Sequence, residues 1–516
     1  MSTVVNDSLK QIARGAGYGV LGLLLALLIQ FISKLVIARY YLEAGYGIFS
    51  LALLILNFAM IVSSLGLQEG CTRYIAYFLG RNDNQSTARV VLVTAIMTVM
   101  ASILIGAVLY FSASEISTGI FHTSELIVAL RAFAPGVPLY TMIVVVSAIF
   151  RGFSRVKTQV IFQFMMHNFI FVLCLLIIVL LRLPFSFVFY AYTFSLAVTL
   201  VVLVIYSLVH LPRLVACNSY KIDISTSREL LVFSLPLMMT LMLSTLIISI
   251  DTVILGYFKA VTEVGLYSAA YNLAYMTYLP SAAFAMIYTP VATRLYANDQ
   301  QNELNRIYTI SIKWVVFLSM PFFLILCFFP SSLMSLIYGQ SFIPAGSTLP
   351  ILATGFLVSN LLCAAMGTLV AIGESKNIMW FYLTGAIINI LLSMILIPVM
   401  GIAGAAIASA VSLASVVFMQ VIRLYLIRKM QPFSKNMLKP IVASVMLAFL
   451  LKFIIGNISI NWWILALIFI CYYGIYGVSV VLTRSFDRED IALLLDIERL
   501  SGIDAEPLKK ILRKFV

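Results

Sequence analysis

Apolar residues run in blocks of roughly twenty along nearly the whole chain, broken by short segments that carry charge, proline or glycine. The blocks predict fourteen helical spans. Their extents are 15–38, 46–68, 88–111, 127–150, 158–181, 185–210, 229–255, 264–289, 307–329, 347–371, 378–398, 402–427, 437–455 and 461–483. Each is long enough to cross ~30 Å of hydrocarbon at 1.5 Å per residue. Barrel strands would alternate polar and apolar positions over about ten residues, whereas runs such as Leu23-Leu24-Leu25 do not alternate. Composition agrees. Of 516 residues, 62% are hydrophobic and 10% charged, with a mean hydropathy of +1.07. Those values exclude a soluble globular domain, a disordered chain and a single-pass anchor. The predicted fold is an all-α polytopic membrane protein, and the first span reads as retained rather than as a cleaved signal.

Charge sets the orientation. With both termini in the cytoplasm, 27 of the 33 Lys and Arg residues fall in inner segments. They include Arg73, Arg81 and Arg89; Arg151, Arg155 and Lys157; Arg213, Lys221 and Arg228; and Arg294, Arg306 and Lys313. Outer loops hold only Arg39, Arg182 and Lys259, which is the positive-inside pattern of a cell-membrane protein. The net charge of +13 therefore needs no nucleic acid. Six cysteines show no metal-type spacing and the three histidines are scattered, so no metal or cofactor is predicted. Beyond Thr483, 14 of 33 residues are charged, and apolar residues recur at helical spacing, predicting amphipathic helices at the inner surface.

Two distant matches point to a duplication. Ala38–Ser50 aligns with Gly256–Ser268 at an offset of 218, placing Gly47 on Gly265 and Ser50 on Ser268. At an offset of 219, Ala134 and Gly136 fall on Ala353 and Gly355, and Lys157 on Lys376. Six spans separate the copies, so both halves share one orientation, as in parallel-repeat transporters. The predicted domains are a six-helix lobe at 1–212, a second at 213–430, two further helices at 431–483 and the charged tail at 484–516. The two pseudo-symmetric lobes would enclose a central cavity.

With this organisation, the run Ala38-Arg39-Tyr40-Tyr41 to Gly47-Ile48-Phe49-Ser50 resembles a hallmark of one known group. So do Leu65-Gly66-Leu67-Gln68-Glu69-Gly70, Arg73-Tyr74-Ile75 and Gly265-Leu266-Tyr267-Ser268. Over roughly residues 8–483 the chain resembles the polysaccharide transporter branch of the multidrug/oligosaccharidyl-lipid/polysaccharide flippase superfamily. The resemblance implies a flippase, not an enzyme, that moves a lipid-diphosphate-linked oligosaccharide from the inner to the outer leaflet. Its partners would be that substrate, membrane lipid, and glycosyltransferases or a polymerase of the same pathway.

Such a substrate needs its diphosphate neutralised and its sugars offered polar and aromatic surfaces. Lys34 lies about five residues before the outer end of span one, and a buried charge there is costly, ~2.5–3.5 kcal/mol on an insertion scale. Arg39 and Arg131 lie near outer ends, where they serve either an anion-attracting cavity or the membrane interface. Asp251 falls opposite Ser33 under the repeat and is a candidate partner of Lys34 or an ion-coupling group. Tyr267, Tyr271, Tyr275 and Tyr278 form one helical stripe with Asn272 beside it, suited to sugar contact or to packing. Gln163, His167 and Asn168 make a polar face on span five, either relay or interhelical glue. Prolines 135, 138, 236, 280 and 321 favour bends inside spans.

Other readings are weaker. Gly17-Tyr18-Gly19-Val20-Leu21-Gly22 has nucleotide-loop spacing, but no strand precedes it. A multidrug exporter of the same superfamily would be expected to have twelve spans and acidic cavity residues. An integral-membrane polymerase or ligase would show a large outer loop, and here the outer loops are short.

Overall fold

The computed structural model describes residues 3–81, 83–153, 155–211, 224–360, 362–432, 435–455 and 462–482. The charged tail and the basic loop holding Arg213 and Lys221 lie outside the described residues. Among those described, every regular element is helical. Among the described residues, eleven helices are long and apolar enough to cross a membrane.

One of these continuous runs, Leu24–Gly80, has 57 residues and covers the later part of the first expected span and the whole of the second. Straight, it would be about 85 Å long, far more than a bilayer core. α1 (Thr3–Ser64) turns at Leu42, where φ is 58° and ψ is −168°. Leu65 (φ 50°) and Gly66 (φ 69°) then divide it from α2 (Leu67–Gly80). The expected span eight is also divided. α10 (Val261–Tyr275) ends in a single 3₁₀ turn at Met276–Tyr278, and α11 (Leu279–Ala297) follows. Pro280 stands in its first turn, where a missing N–H costs least.

The chain forms two compact units, Tyr18–Gly265 and Leu266–Val516 with Met1–Gly17. The first continues through α3 (Asn84–Ser114), α4 (Glu125–Phe133), α5 (Gly136–Gly152), the single turn α6 (Val156–Gln159), α7 (His167–Leu180), α8 (Ser186–His210) and α9 (Ile224–Phe258). Asp83 caps α3 by accepting the Ser86 N–H at 2.9 Å. In this unit α2 and α3 pack on α5, α5 on α8, and α7 on α8. Aromatic edges fill the centre: Phe133 lies 5.1 Å from Tyr192 and 5.6 Å from Phe189.

The second unit holds α11, α12 (Gln301–Phe328), α13 (Pro330–Ile337), α14 (Leu349–Asn360), α15 (Leu362–Ile372), α16 (Ser375–Met400), α17 (Ile402–Arg428), α18 (Lys435–Ile455) and α19 (Trp462–Leu482). Here α11 packs on α15, α12 on α14, α14 on α17, and α16 on α17. Under the repeat offset these are the same four pairings as in the first unit. α18 and α19 have no counterpart there; they pack on each other and on α12.

Within the first unit, the stretch that leads up to residue 265 packs on α1 and α2. Gly47 and Gly265, equated by the repeat, face each other. A Cβ on Gly47 would fall inside contact distance of the Val261 carbonyl, and one on Gly265 inside that of the Glu43 carbonyl. Only hydrogen in place of Cβ permits this crossing. α2 meets α9 in the same manner, with Gly66 and Gly70 against Ser234 and the Arg73 guanidinium 4.2 Å over the Phe233 ring.

At the end of the second unit near Lys376, Glu374 pairs with Arg423 at 3.1 Å and accepts from the Asn377 amide. The Asn377 hydrogen bond, then the Arg423 guanidinium, hold the Glu374 carboxyl below its ordinary range. A depressed carboxylate contributes stability above its unfolded pKa and loses it as pH falls through the folded one. Arg423→Gln is therefore expected to cost under ~1 kcal/mol at neutral pH, since the pair is partly exposed. In thermal unfolding, the gap to wild type should close below about pH 4.

Candidate functional site

α1 carries Lys34 half-buried, directly after Ser33, which is 3% exposed and donates its hydroxyl to the Gln30 carbonyl at 2.8 Å. Five residues on, Arg39 is exposed, just before the turn at Leu42. Asp251 on α9 is 0% exposed. A carboxylate wholly removed from solvent in an apolar helix is expensive, so its position is a functional signal. Lys34, Arg39 and Asp251 all belong to the first unit.

Arg131 is exposed on α4, beside Val128, with its guanidinium 5.6 Å over the Tyr110 ring. A guanidinium over an aromatic face is a cation–π placement.

In the second unit the tyrosine stripe divides. Tyr267 is 0% exposed and its hydroxyl shares a 3.0 Å hydrogen bond with Ser409. In this structure its hydroxyl is engaged within the second unit. Tyr271 and Tyr275 are half-buried and approach the Phe356 ring edge-on at 5.2 and 5.5 Å. Asn272 is half-buried and donates to the Ser268 carbonyl at 2.6 Å within its own helix.

His167 begins α7 immediately after a π-helical stretch, Val160–Met166, of the kind that often marks functional positions. The ring is 5% exposed, 5.7 Å from Tyr140 and 6.5 Å from Tyr192. Its Nδ1 has no hydrogen-bond partner among the described residues. Asn168 bonds the Phe164 carbonyl, and Gln163 accepts from Gln159, so these two serve the helix.

Two features escaped the sequence. Lys313, counted there with an inner loop, lies within α12, 2% exposed, its Nζ 5.9 Å from the Phe317 ring. With Asp251 it is one of two buried Lys, Arg, Asp or Glu side chains among the described residues. The signal was present, because Lys313 falls six residues inside an expected span. Arg151 forms a network: it donates to Glu69 at 2.9 Å, to Thr72 at 3.1 Å and to the Gln68 carbonyl at 3.3 Å. That network fastens α2 to α5.

The sequence pattern of the polysaccharide biosynthesis protein family matches residues 12–296, more than half of the chain. The chain belongs to this family. A second pattern, MatE, matches residues 236–395. The curated relative "Probable low-salt glycan biosynthesis flippase Agl15" of Haloferax volcanii is 27% identical over 164 residues. That match takes in 32% of this chain and 35% of the relative, about a third of its length. Among solved structures, the lipid II flippase MurJ in an inward closed conformation superposes with a TM-score of 0.71 at 14% identity, covering 89% of this chain and 97% of MurJ. An inward-facing multidrug transporter of the MATE family gives 0.67 at 15% identity, over 78% of this chain and 94% of its own. The fold of this polysaccharide biosynthesis family member is therefore that of the multidrug/oligosaccharidyl-lipid/polysaccharide flippase superfamily.

Proposed function

We propose that the protein flips a lipid-diphosphate-linked oligosaccharide across the cell membrane by alternating access. Fourteen spans, as two six-helix repeats with two added helices, would carry it out, with both termini cytoplasmic. The observation that carries this reading is the half-buried Lys34 on α1 of a chain whose family pattern spans residues 12–296. An ammonium in low-dielectric surroundings attracts a diphosphate more strongly than one in water. Arg39, exposed at the same helix end, draws the anion in, and the buried Asp251 balances Lys34 or takes up a coupling ion. His167 is a second group able to accept a coupling proton. Tyr271, Tyr275 and Asn272 present aromatic and amide groups of the kind sugars bind.

The MatE match favours one alternative, export of cationic compounds. A cation exporter concentrates carboxylates at its site, whereas Asp251 is the one fully buried carboxylate among the described residues. Depleting the protein in its own host separates the two readings. Lipid-linked oligosaccharide should accumulate on the cytoplasmic leaflet, with unchanged tolerance of cationic dyes. Normal surface glycan together with dye sensitivity would overturn the flippase reading.

A further inference from the structure

The first unit contains a cavity of about 680 Å³ that the transport reading does not use. Its walls come from three separate stretches: Ala44 and Ile48 just past the turn in α1, Phe121–Glu125 between α3 and α4, and Tyr257–Thr262 at the junction of α9 and α10. By the positive-inside reading it opens on the outer face. The volume falls within the ~300–1,000 Å³ of ordinary ligand pockets.

Its frame is built rather than incidental. Gly256 lacks the Cβ that would press on Leu51 and Phe121, so Phe121 seats against α9 at 5% exposure. His122 follows at φ 51°, its Nδ1 3.1 Å from the Thr118 carbonyl and its ring 6.2 Å from Tyr257. Thr123 donates to the Phe121 carbonyl at 3.0 Å and fixes the next turn.

The lining combines one carboxylate, Glu125, with one ammonium, Lys259, an imidazole and the hydroxyls of Thr123, Ser124 and Thr262. The Tyr257 ring is 50% exposed beside them. Those groups supply donors and acceptors of both kinds with an aromatic face and no excess charge. A diphosphate would meet Glu125 as well as Lys259, and an apolar ligand would strand the polar groups. A polyhydroxylated ring satisfies them. We propose that this cavity is a saccharide-binding site on the outer face, receiving a sugar of the transported glycan after it crosses. Its assignment to the exit side rests on the flippase reading; the saccharide affinity does not.

The test uses the full chain in lipid nanodiscs with methyl glycosides of a hexose, an N-acetylhexosamine and a hexuronic acid, read by saturation-transfer NMR. At least one pyranoside should show transfer to its ring protons. Tyr257→Ala should weaken it about tenfold through loss of the stacking face. Glu125→Gln, a conservative change at an exposed position, should weaken it too and guards against a folding defect. Lys34→Ala should retain pyranoside binding while losing flipping, so failure of the transport reading and failure of the pocket are told apart. Absence of transfer to every pyranoside, transfer indifferent to both pocket substitutions, or displacement by inorganic pyrophosphate in preference to sugar would each overturn the proposal.

Discussion

Lys34→Ala is expected to abolish delivery of a lipid-diphosphate saccharide to the opposite leaflet, with about a 100-fold fall in rate and normal membrane expression. Truncating one partner of a desolvated charge contact costs ~2–5 kcal/mol, which corresponds to that range. Lys34 is half-buried on α1, so the small side chain fits without creating a large void. Lys34→Arg should restore part of the rate, because it keeps the charge and changes only its reach. A merely structural lysine would respond in the opposite order, tolerating alanine and resisting the bulkier guanidinium. Initial rates of leaflet transfer for the three proteins decide between these outcomes.

The second large effect is expected at the glycine crossing. Gly47→Ala and Gly265→Ala each place a methyl against a main-chain carbonyl, of Val261 and of Glu43 respectively. A carbonyl within a helix cannot turn aside as a side-chain end can, so the helices must separate. Overpacking of this kind costs ~1–3 kcal/mol, and melting in detergent should fall by about 5 °C with transport reduced in parallel. Gly80→Ala is the control, since nothing lies within 4 Å of a Cβ there. If the two crossing variants melt with wild type, the contact is not part of the stable structure. If they melt early yet transport at the normal rate, the crossing supports the fold without taking part in the cycle.

The sequence offset matched Gly47 with Gly265, yet contact between them was not visible there. Sequence spacing records which positions are equivalent, and close approach appears only when α1 and α10 are placed together. Helices were legible because blocks of apolar residues about a bilayer long allow little else. Where one block ends and the next begins was less so. Leu42 makes its turn without proline or glycine at that position, and the break at Met276–Tyr278 precedes Pro280 by two residues. Lys34 and Asp251 stood out because charges are rare inside spans. Lys313 was set aside for its nearness to an inner loop, although its helix buries it. In the tyrosine stripe, periodicity identified the shared face but not that Ser409 would occupy the hydroxyl of Tyr267. The cavity of the first unit was beyond reach, since its walls are contributed by stretches around residues 44, 123 and 260 that no local pattern connects.

The most direct test of the account places the purified protein in liposomes carrying a fluorescent lipid-diphosphate saccharide on one leaflet, with and without an ion gradient. Wild type should move the saccharide lipid across well above the protein-free rate, and Lys34→Ala should remain at that background. Equal transfer by both proteins would contradict the cationic headgroup site, and no transfer by either, alongside uptake of a cationic dye, would contradict glycan flipping itself.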